Sequence, residues 1–192
     1  MEIVVLLKQV PATEAFIEIA DGGVSVKTQN LKWVINPYDE FALEEAVRQV
    51  EAAGQGEVTV ITLGPDAVSK ELRDCLAMGA DKAVLLEAGQ GFDAKSLSEA
   101  LAAKVKELAP ELIFCGKQAV DNDDAQMGPR LAGLLGWSCL TDASTFELGD
   151  GTWTGQRDIE GAKEVVEGKL PVLVSCNKGL NEPRYPNLKG IM

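Results

Sequence analysis

Short apolar runs alternate with amphipathic helices through the first two thirds of the chain, and this alternation restricts the fold more than any other feature. The first run, residues 2–8, is apolar at nearly every position, as in strands buried on both faces of a parallel sheet. Strands that alternate with helices build a doubly wound α/β sheet with right-handed crossovers. The predicted strands are residues 2–8, 58–63, 82–86 and 112–115, and the predicted helices are residues 36–53, 67–78 and 94–108.

The position of the ligand site follows from the expected strand order, 3-2-1-4-5. In that order the first strand lies beside the fourth, and the connections of these two strands leave towards opposite faces of the sheet. A crevice then opens between their carboxyl ends, which is where ligands bind in open α/β sheets. The sequence therefore predicts a ligand site at the ends of residues 2–8 and 112–115.

The second part of the chain has a different pattern. After Gly136, apolar and polar residues alternate around glycine turns, which predicts an antiparallel meander with one solvated face. A small hairpin is also expected at residues 17–26. With 192 residues, 46% of them hydrophobic, residues 1–192 are expected to form one nucleotide-binding α/β domain. The predicted meander strands are residues 144–148, 152–157 and 163–167, followed by a buried strand at residues 170–176.

The turn after the fourth strand, residues 116–123, is polar and leads into a predicted helix at residues 124–136. Asp123 or Asp124 is the expected N-cap of that helix. Free backbone N–H groups at a helix start bind anions. If a nucleotide binds, its phosphate is expected against residues 126–128, with Arg130 or Lys8 offsetting the charge. The alternative is that the carboxylates of the turn only cap the helix.

The charge balance excludes several classes of partner. The chain has 30 acidic and 18 basic residues, a net charge of −12, which argues against nonspecific nucleic-acid binding and against an anionic membrane surface. No apolar run approaches the ~20 residues of a membrane-spanning helix. The four cysteines lie far apart, without a Cys-x-x-Cys pair, and this pattern fits a reducing cytoplasm.

Catalytic and metal sites are not predicted. The chain has no histidine, so histidine-based triads and histidine metal sites are excluded. An EF-hand loop that began at Asp121 would require an oxygen ligand and a glycine where the chain has Ala125 and Gln126, and a glutamate where it has Ala132. Neither a dinucleotide fingerprint nor a Walker loop occurs. We therefore expect a protein that is not an enzyme.

The last sixteen residues, 177–192, form a loop with two prolines and exposed apolar side chains. Tyr185 and Leu188 stand among prolines and charged residues. Two interpretations remain open from the residues alone. The loop folds back on the core, or it presents a rigid hydrophobic anchor to a partner.

Six segments, in order along the chain, resemble the β subunit of electron transfer flavoproteins. Asn-Glu-Pro-Arg-Tyr after a Lys-Leu-Pro strand is the most specific of them. The segments are Val-Leu-Leu-Lys-Gln-Val at 5–10, Asn-Pro-Tyr-Asp-Glu at 36–40, Leu-Ala-Met-Gly-Ala-Asp-Lys at 76–82, Gly-Lys-Gln-Ala-Val-Asp at 116–121, Gly-Trp at 136–137 and Asn-Glu-Pro-Arg-Tyr at 181–185.

The resemblance implies an electron carrier that pairs with an α subunit. The redox FAD of such a heterodimer is held mainly by the α subunit, and electrons pass from flavin dehydrogenases, such as acyl-CoA dehydrogenases, to a downstream acceptor. The β subunit holds AMP in the common branch and a second FAD in the bifurcating branch. A stand-alone adenine-nucleotide-binding module of the universal-stress type is the alternative, because it has the same sheet.

The resemblance also assigns residues to the cofactor site. They lie at the ends of the first two strands, at the Asn-Pro turn and at the polar turn with its helix start. They are Leu6, Lys8, Asn36, Pro37, Tyr38, Asp39, Leu63, Gly64, Asp121, Asn122, Asp123, Ala125, Gln126, Met127, Gly128 and Arg130.

Two substitutions in this site leave the bound nucleotide open. The AMP branch usually has Asp-Cys-Asn-Gln-Thr-Gly at the phosphate, whereas this chain has Ala125 in place of Asn and Met127 in place of Thr. These two residues, and Pro11 after Lys-Gln-Val, resemble the second-FAD branch, although Ala12 departs from the usual Pro-Asp-Thr of that branch. AMP is favoured on its frequency in the family.

The terminal loop is the expected partner-binding element, with Leu188 where the family carries its leucine anchor for the dehydrogenase. The family's C-terminal segment, which embraces the α subunit, has no counterpart in residues 1–192. The expected partner-binding residues are Glu182, Pro183, Arg184, Tyr185 and Leu188.

Overall fold

An eight-stranded, mainly parallel sheet forms the centre of the computed structural model, which describes residues 1–89 and 92–187. Its strand order is β5-β4-β1-β6-β10-β7-β8-β9. The strands are β1 Glu2–Leu6, β2 Gln9–Pro11, β3 Trp33–Ile35, β4 Glu57–Gly64, β5 Lys82–Glu87, β6 Leu112–Gly116, β7 Ser138–Leu148, β8 Thr152–Ile159, β9 Ala162–Lys169 and β10 Val172–Cys176, and the helices are α1 Pro37–Ala53, α2 Ser69–Met78, α3 Ala94–Leu108 and α4 Met127–Leu135.

The fold class and the strand order predicted from the sequence are confirmed. β5, β4, β1 and β6 are the third, second, first and fourth predicted strands, and β10 takes the fifth place beside β6. These neighbours are all parallel. The order reverses direction at β1, so the carboxyl ends of β1 and β6 flank the crevice.

Alternating side chains of the central strands fill two separate cores. Ile3 and Val5 face the core beneath α1 and α2, while Val4 and Leu6 face the core beneath α3 and α4. This is the period of two that an extended strand imposes. Because both faces are covered by helices, each residue from Ile3 to Leu6 is buried, which explains why the run is apolar without interruption.

The prediction that α4 begins at Asp124, with Asp123 or Asp124 as its cap, is wrong. The helix begins at Met127, its capping position is Gln126, and no side chain makes the cap hydrogen bond. Pro129 explains the difference, because proline lacks the N–H that an interior helical position requires and is tolerated only in the first turn. A helix from residue 124 would place Pro129 in its second turn.

The segments between β1 and α1 also differ from expectation. Residues 9–11, for which no strand was predicted, form β2 and pair antiparallel with β3. The hairpin predicted at residues 17–26 is reduced to one antiparallel bridge, between Ile19 and Val26. Polar and glycine residues between these segments leave too few apolar side chains on a buried face to extend the pairing.

The meander is confirmed, with a longer first strand. The amino-terminal part of β7 pairs parallel with β10, and its carboxyl-terminal part pairs antiparallel with β8. β9 completes the sheet beside β8. In the part of the chain that the structure describes, no helix combines the length and apolar character that crossing a membrane requires.

Candidate functional site

A cavity of about 240 Å³ lies at the carboxyl ends of β1, β4 and β6, at the predicted crevice. One wall is polar and consists of the β1 end, the start of α1 and the turn after β6. The other wall is apolar and includes Ile61, Leu63, Leu97, Leu101 and Met127. Phe92 stands at this wall with half of its surface exposed.

Asn36 attaches the polar turn to the start of α1. Its side-chain amide donates to the carbonyl oxygen of Gln118 at 2.9 Å, and its side-chain oxygen accepts the backbone N–H of Val120 at 3.2 Å. Asn36 occupies the capping position of α1, with Pro37 in the first turn, yet its side chain makes no capping bond. Instead, its side chain bonds the turn after β6, which lies more than eighty positions further along the chain.

Asp39, in the first turn of α1, joins the two strands that flank the cavity. One carboxylate oxygen accepts the backbone N–H of Lys8 at 2.7 Å, and the other accepts that of Gly116 at 2.9 Å. Burial raises the pKa of this carboxyl to about 7, while the Lys8 N–H and the other hydrogen bonds to the carboxylate act in the opposite direction. A side chain at Gly116 would collide with Asp39 and Tyr38, so this approach requires glycine.

The side chain of Lys8 turns away from Asp39. Its ammonium donates to the carboxylate of Asp121 at 2.7 Å. The pair is partly exposed, so it contributes little stability by itself. It places one positive charge on the polar wall of a protein with a net charge of −12.

The last part of the polar turn has a strained backbone. Asp123 and Ala125 both have positive φ, of 51° and 50°. Aspartate tolerates this conformation, whereas alanine rarely adopts it, because its Cβ crowds the carbonyl oxygen. The side-chain amide of Gln118 donates to the carboxylate of Asp123 at 2.6 Å, and this bond connects two parts of the turn. Strained residues of this kind concentrate at ligand-binding turns.

The start of α4 borders the cavity with backbone N–H groups. Gln126 and Met127 line the cavity, and the Gln126 side chain makes no capping bond, while the Gln126 N–H donates to Asp124 Oδ1 at 3.4 Å. Arg130, one turn further, donates to the side-chain oxygen of Gln126 at 2.7 Å. A side chain at Gly128 would lie 3.2 Å from Cys115 Sγ and from Leu173 Cδ2, so glycine lets α4 pack closely on the sheet.

The structure brings nine of the sixteen predicted cofactor-site residues into the wall of the cavity. They are Leu6, Lys8, Asn36, Asp39, Leu63, Asn122, Ala125, Gln126 and Met127. The other seven lie beside these residues but are not part of the wall. They are Pro37, Tyr38, Gly64, Asp121, Asp123, Gly128 and Arg130.

Sequence reasoning missed the apolar wall from α3 and part of the polar wall. Phe92, Leu97 and Leu101 enter the cavity because α3 and α4 cover the same face of the sheet. The apolar face of α3 alone could not identify them, because any packed helix has one. Lys117 also lines the cavity, and its ammonium pairs with Asp142 of β7 at 2.8 Å.

The terminal loop, described to Asn187, is fastened to α1. The Arg184 guanidinium binds the carboxylate of Glu44 at 2.8 Å and that of Glu51 at 2.7 Å. The hydrogen bond from Arg184 lowers the pKa of Glu51. Asn181 donates to the carbonyl oxygen of Phe41 at 3.0 Å. Through Asn181 and Arg184 the loop therefore folds back on α1, as the first interpretation expected, and the partner-anchor interpretation stays a prediction.

The next residue, Tyr185, points away from the protein, with 93% of its surface exposed. Glu182 is also exposed, and Pro183 is half-buried. The predicted anchor Leu188 lies outside the described residues.

Comparison with known proteins identifies the family. Residues 23–192 match the electron transfer flavoprotein domain. The whole chain is 40% identical to the electron transfer flavoprotein subunit beta of Bacillus subtilis and covers 75% of it. It is 38% identical to the subunit beta of Bradyrhizobium diazoefficiens, and 37% identical to the mitochondrial subunit beta of Arabidopsis thaliana, covering 77% of each. These matches give no support to the universal-stress alternative. The matched relatives are all β subunits, and the chain belongs to the electron transfer flavoprotein family.

Proposed function

We propose that this chain is the β subunit of a heterodimeric electron transfer flavoprotein that receives electrons from flavin dehydrogenases, such as acyl-CoA dehydrogenases, and delivers them to a downstream acceptor. Members of the family are electron carriers and not enzymes, and a β subunit implies an α partner. The redox FAD is assigned mainly to that partner. Within this chain, the proposal rests on one observation, the two-walled cavity between the ends of β1 and β6.

The chemistry of the cavity fits an adenine nucleotide. The apolar wall of Leu63, Leu97 and Leu101 offers a surface for the adenine ring. The opposite wall offers backbone N–H groups at the start of α4, which suit a phosphate, and the ammonium of Lys8 offsets its charge. When bound, the nucleotide would supply negative charge to a helix start whose capping residue, Gln126, makes no side-chain capping bond.

AMP is the better candidate for this cavity, and a second FAD is the alternative. Pockets for drug-sized ligands are typically ~300–1,000 Å³, so a cavity of about 240 Å³ matches the smaller nucleotide. The observation that favours FAD is the presence of Ala125 and Met127 in the wall, because neither side chain can hydrogen-bond a phosphate.

The terminal loop is proposed to contact the dehydrogenase. Arg184 holds the loop against α1 through two carboxylates, so little conformational entropy is lost when a partner binds. Tyr185 is therefore an exposed side chain on a loop segment that ion pairs hold in place, as expected of an interface anchor. Glu182, Pro183 and Leu188 complete the proposed contact on the basis of the family resemblance.

A cytoplasmic location is proposed as well. All four cysteines are free thiols, and Cys75, Cys115 and Cys176 are buried. Free thiols persist in reducing compartments, which include the cytoplasm.

The experiment that tests the proposal is co-expression of this chain with the α subunit of its organism. The purified complex is denatured, and the released nucleotides are separated and counted. One FAD and one AMP per heterodimer are expected. Two FAD per heterodimer would support the alternative nucleotide, and failure of the two chains to associate would contradict the assignment as a β subunit.

A further inference from the structure

Residues 12–32 form an arm that extends from the rim of the cavity. The arm is rooted in the small β2–β3 sheet, whose ends continue directly into Lys8 and Asn36, both in the cavity wall. Towards its tip, the arm is closed by the bridge between Ile19 and Val26 and by a hydrogen bond from the Ala20 N–H to the Ser25 carbonyl oxygen at 2.8 Å.

One face of the arm is apolar and exposed. Ile19 and Val26 are bridge partners, so their side chains share a face. Ile17 lies two residues before Ile19, and Val24 stands in the bend at the tip, two residues before Val26. Ile19 is 69% exposed and Val24 is 92% exposed. Phe16 is 83% exposed and lines a pocket with Glu18 and Lys27, on the other face of the arm.

The opposite face of the arm carries a matched ion pair. The ammonium of Lys27 lies 3.0 Å from the carboxylate of Glu18, and these two residues are opposite each other in the bridge register. A second pair, Lys32 with Glu14 at 3.1 Å, lies nearer the root. Asp21 is the remaining charged residue of the arm, so the arm is almost neutral in a chain of net charge −12.

Two properties of the arm indicate that a partner covers its apolar face. A two-stranded ribbon is at best marginally stable alone in water. Contiguous exposed apolar side chains on a soluble protein mark an interaction surface. Because the Glu18–Lys27 pair occupies the other face, the apolar face can be covered without burying that pair.

We propose that the apolar face of the arm, Ile17, Ile19, Val24 and Val26, is buried against the α subunit in the heterodimer. This inference rests on the proposed function. A permanent partner is indicated because apolar surfaces characterise obligate interfaces, whereas surfaces for transient partners are more polar. A second copy of this chain is a poorer occupant, because each copy carries a net charge of −12 and the two would repel each other.

The test compares two double variants with the parent chain, each titrated with the α subunit. The first, Ile19→Ser with Val24→Ser, removes apolar surface from the proposed interface. Its dissociation constant is expected to rise at least about a hundredfold, since each buried aliphatic side chain accounts for roughly a tenfold change or more. The matched control, Glu18→Gln with Lys27→Gln, changes the opposite face and is expected to alter the constant less than about threefold.

The remaining outcomes each decide the proposal. Equal affinity of the parent and the Ile19→Ser, Val24→Ser variant for the α subunit would overturn it and leave the proposed function intact. Self-association of the parent chain that this variant abolishes would assign the face to a second copy instead. Intact α binding with lost transfer from the dehydrogenase would assign it to that transient partner. A parent chain that binds no α subunit would end both proposals. Unchanged melting of the variant chains alone confirms that their folds are intact.

Discussion

The carboxylate of Asp39 accepts a hydrogen bond from the backbone N–H of Gly116 at 2.9 Å, across 77 positions of the chain. Its other oxygen accepts the N–H of Lys8 at 2.7 Å. The first turn of α1 therefore connects the carboxyl ends of β1 and β6, which both border the cavity. Five predictions concern this site and the loops around it.

Replacement of Asp39 with alanine should destabilise the protein by about 2 kcal/mol or more, because two buried backbone N–H groups lose their acceptor at roughly 1–3 kcal/mol each. The free energy of unfolding is measured by urea titration at neutral pH. Glu40→Ala is the matched control, since Glu40 is the next residue of α1 and only partly buried. A loss no larger than that of the control would show that Asp39 does not hold the strand ends.

The stability of the parent chain relative to Asp39→Asn should fall as pH rises from about 4 to about 7, and change little above pH 7. The folded pKa of about 7 lies above the ordinary value of 3.8, so the folded state binds the proton more tightly than the unfolded state over this interval. Stability from such a group is present below the unfolded pKa and is lost as pH rises through the folded pKa. Urea titrations of both proteins across pH 4–8 measure the difference. A difference that is independent of pH would contradict the raised pKa.

Ala125→Gly should stabilise the protein by about 0.5–1 kcal/mol. Glycine adopts the positive φ of 50° at this position without the clash that alanine suffers. The control is Ala103→Gly, at an exposed position inside α3, where glycine should destabilise by about 0.5–1 kcal/mol. Denaturant unfolding of both variants gives the sign of each change in the free energy of unfolding relative to the parent. The same sign for both would mean that the turn is not strained.

The double variant Ala125→Asn, Met127→Thr should bind AMP more tightly than the parent, by roughly twofold to tenfold per added hydrogen bond. These changes restore the two side-chain groups that the AMP branch carries at these positions. Isothermal titration of nucleotide-free protein with AMP measures the effect. The control Ala103→Gly should leave the affinity unchanged. Weaker AMP binding by the double variant would place the phosphate elsewhere.

Tyr185→Ala and Leu188→Ala should each slow electron transfer from the dehydrogenase about tenfold to a hundredfold, the range expected when one buried anchor is lost. Melting temperature, bound nucleotide and flavin spectrum should not change. Glu160→Ala, in the exposed turn between β8 and β9, is a control that should leave transfer unaffected. If the Leu188→Ala chain unfolds or loses its nucleotide, Leu188 is a core residue. Transfer at the parent rate would show that the loop is not the recognition element.

The strand order of the sheet and the position of the cavity beside β1 could be predicted from the sequence. Uninterrupted apolar runs such as Ile3–Leu6 are typical of strands covered on both faces, and their alternation with helices predicts a parallel order with a crevice beside β1. The six short segments that resemble electron transfer flavoprotein β subunits then led to the β-subunit assignment. These features depend on local periodicity and on chain order, and both can be read without coordinates.

The tertiary structure alone decided which side chains meet at the site. The contact of Asp39 with Gly116 and the attachment of Arg184 to Glu44 join residues far apart in the chain, and no periodicity encodes such pairs. The packing of α3 beside α4 brings Leu97 into the cavity. The physical reason is common to all of these. Strands and helices follow from the pattern of neighbouring residues, whereas a cavity wall depends on how separate elements pack, which is set by shape and by hydrogen bonds across the whole chain.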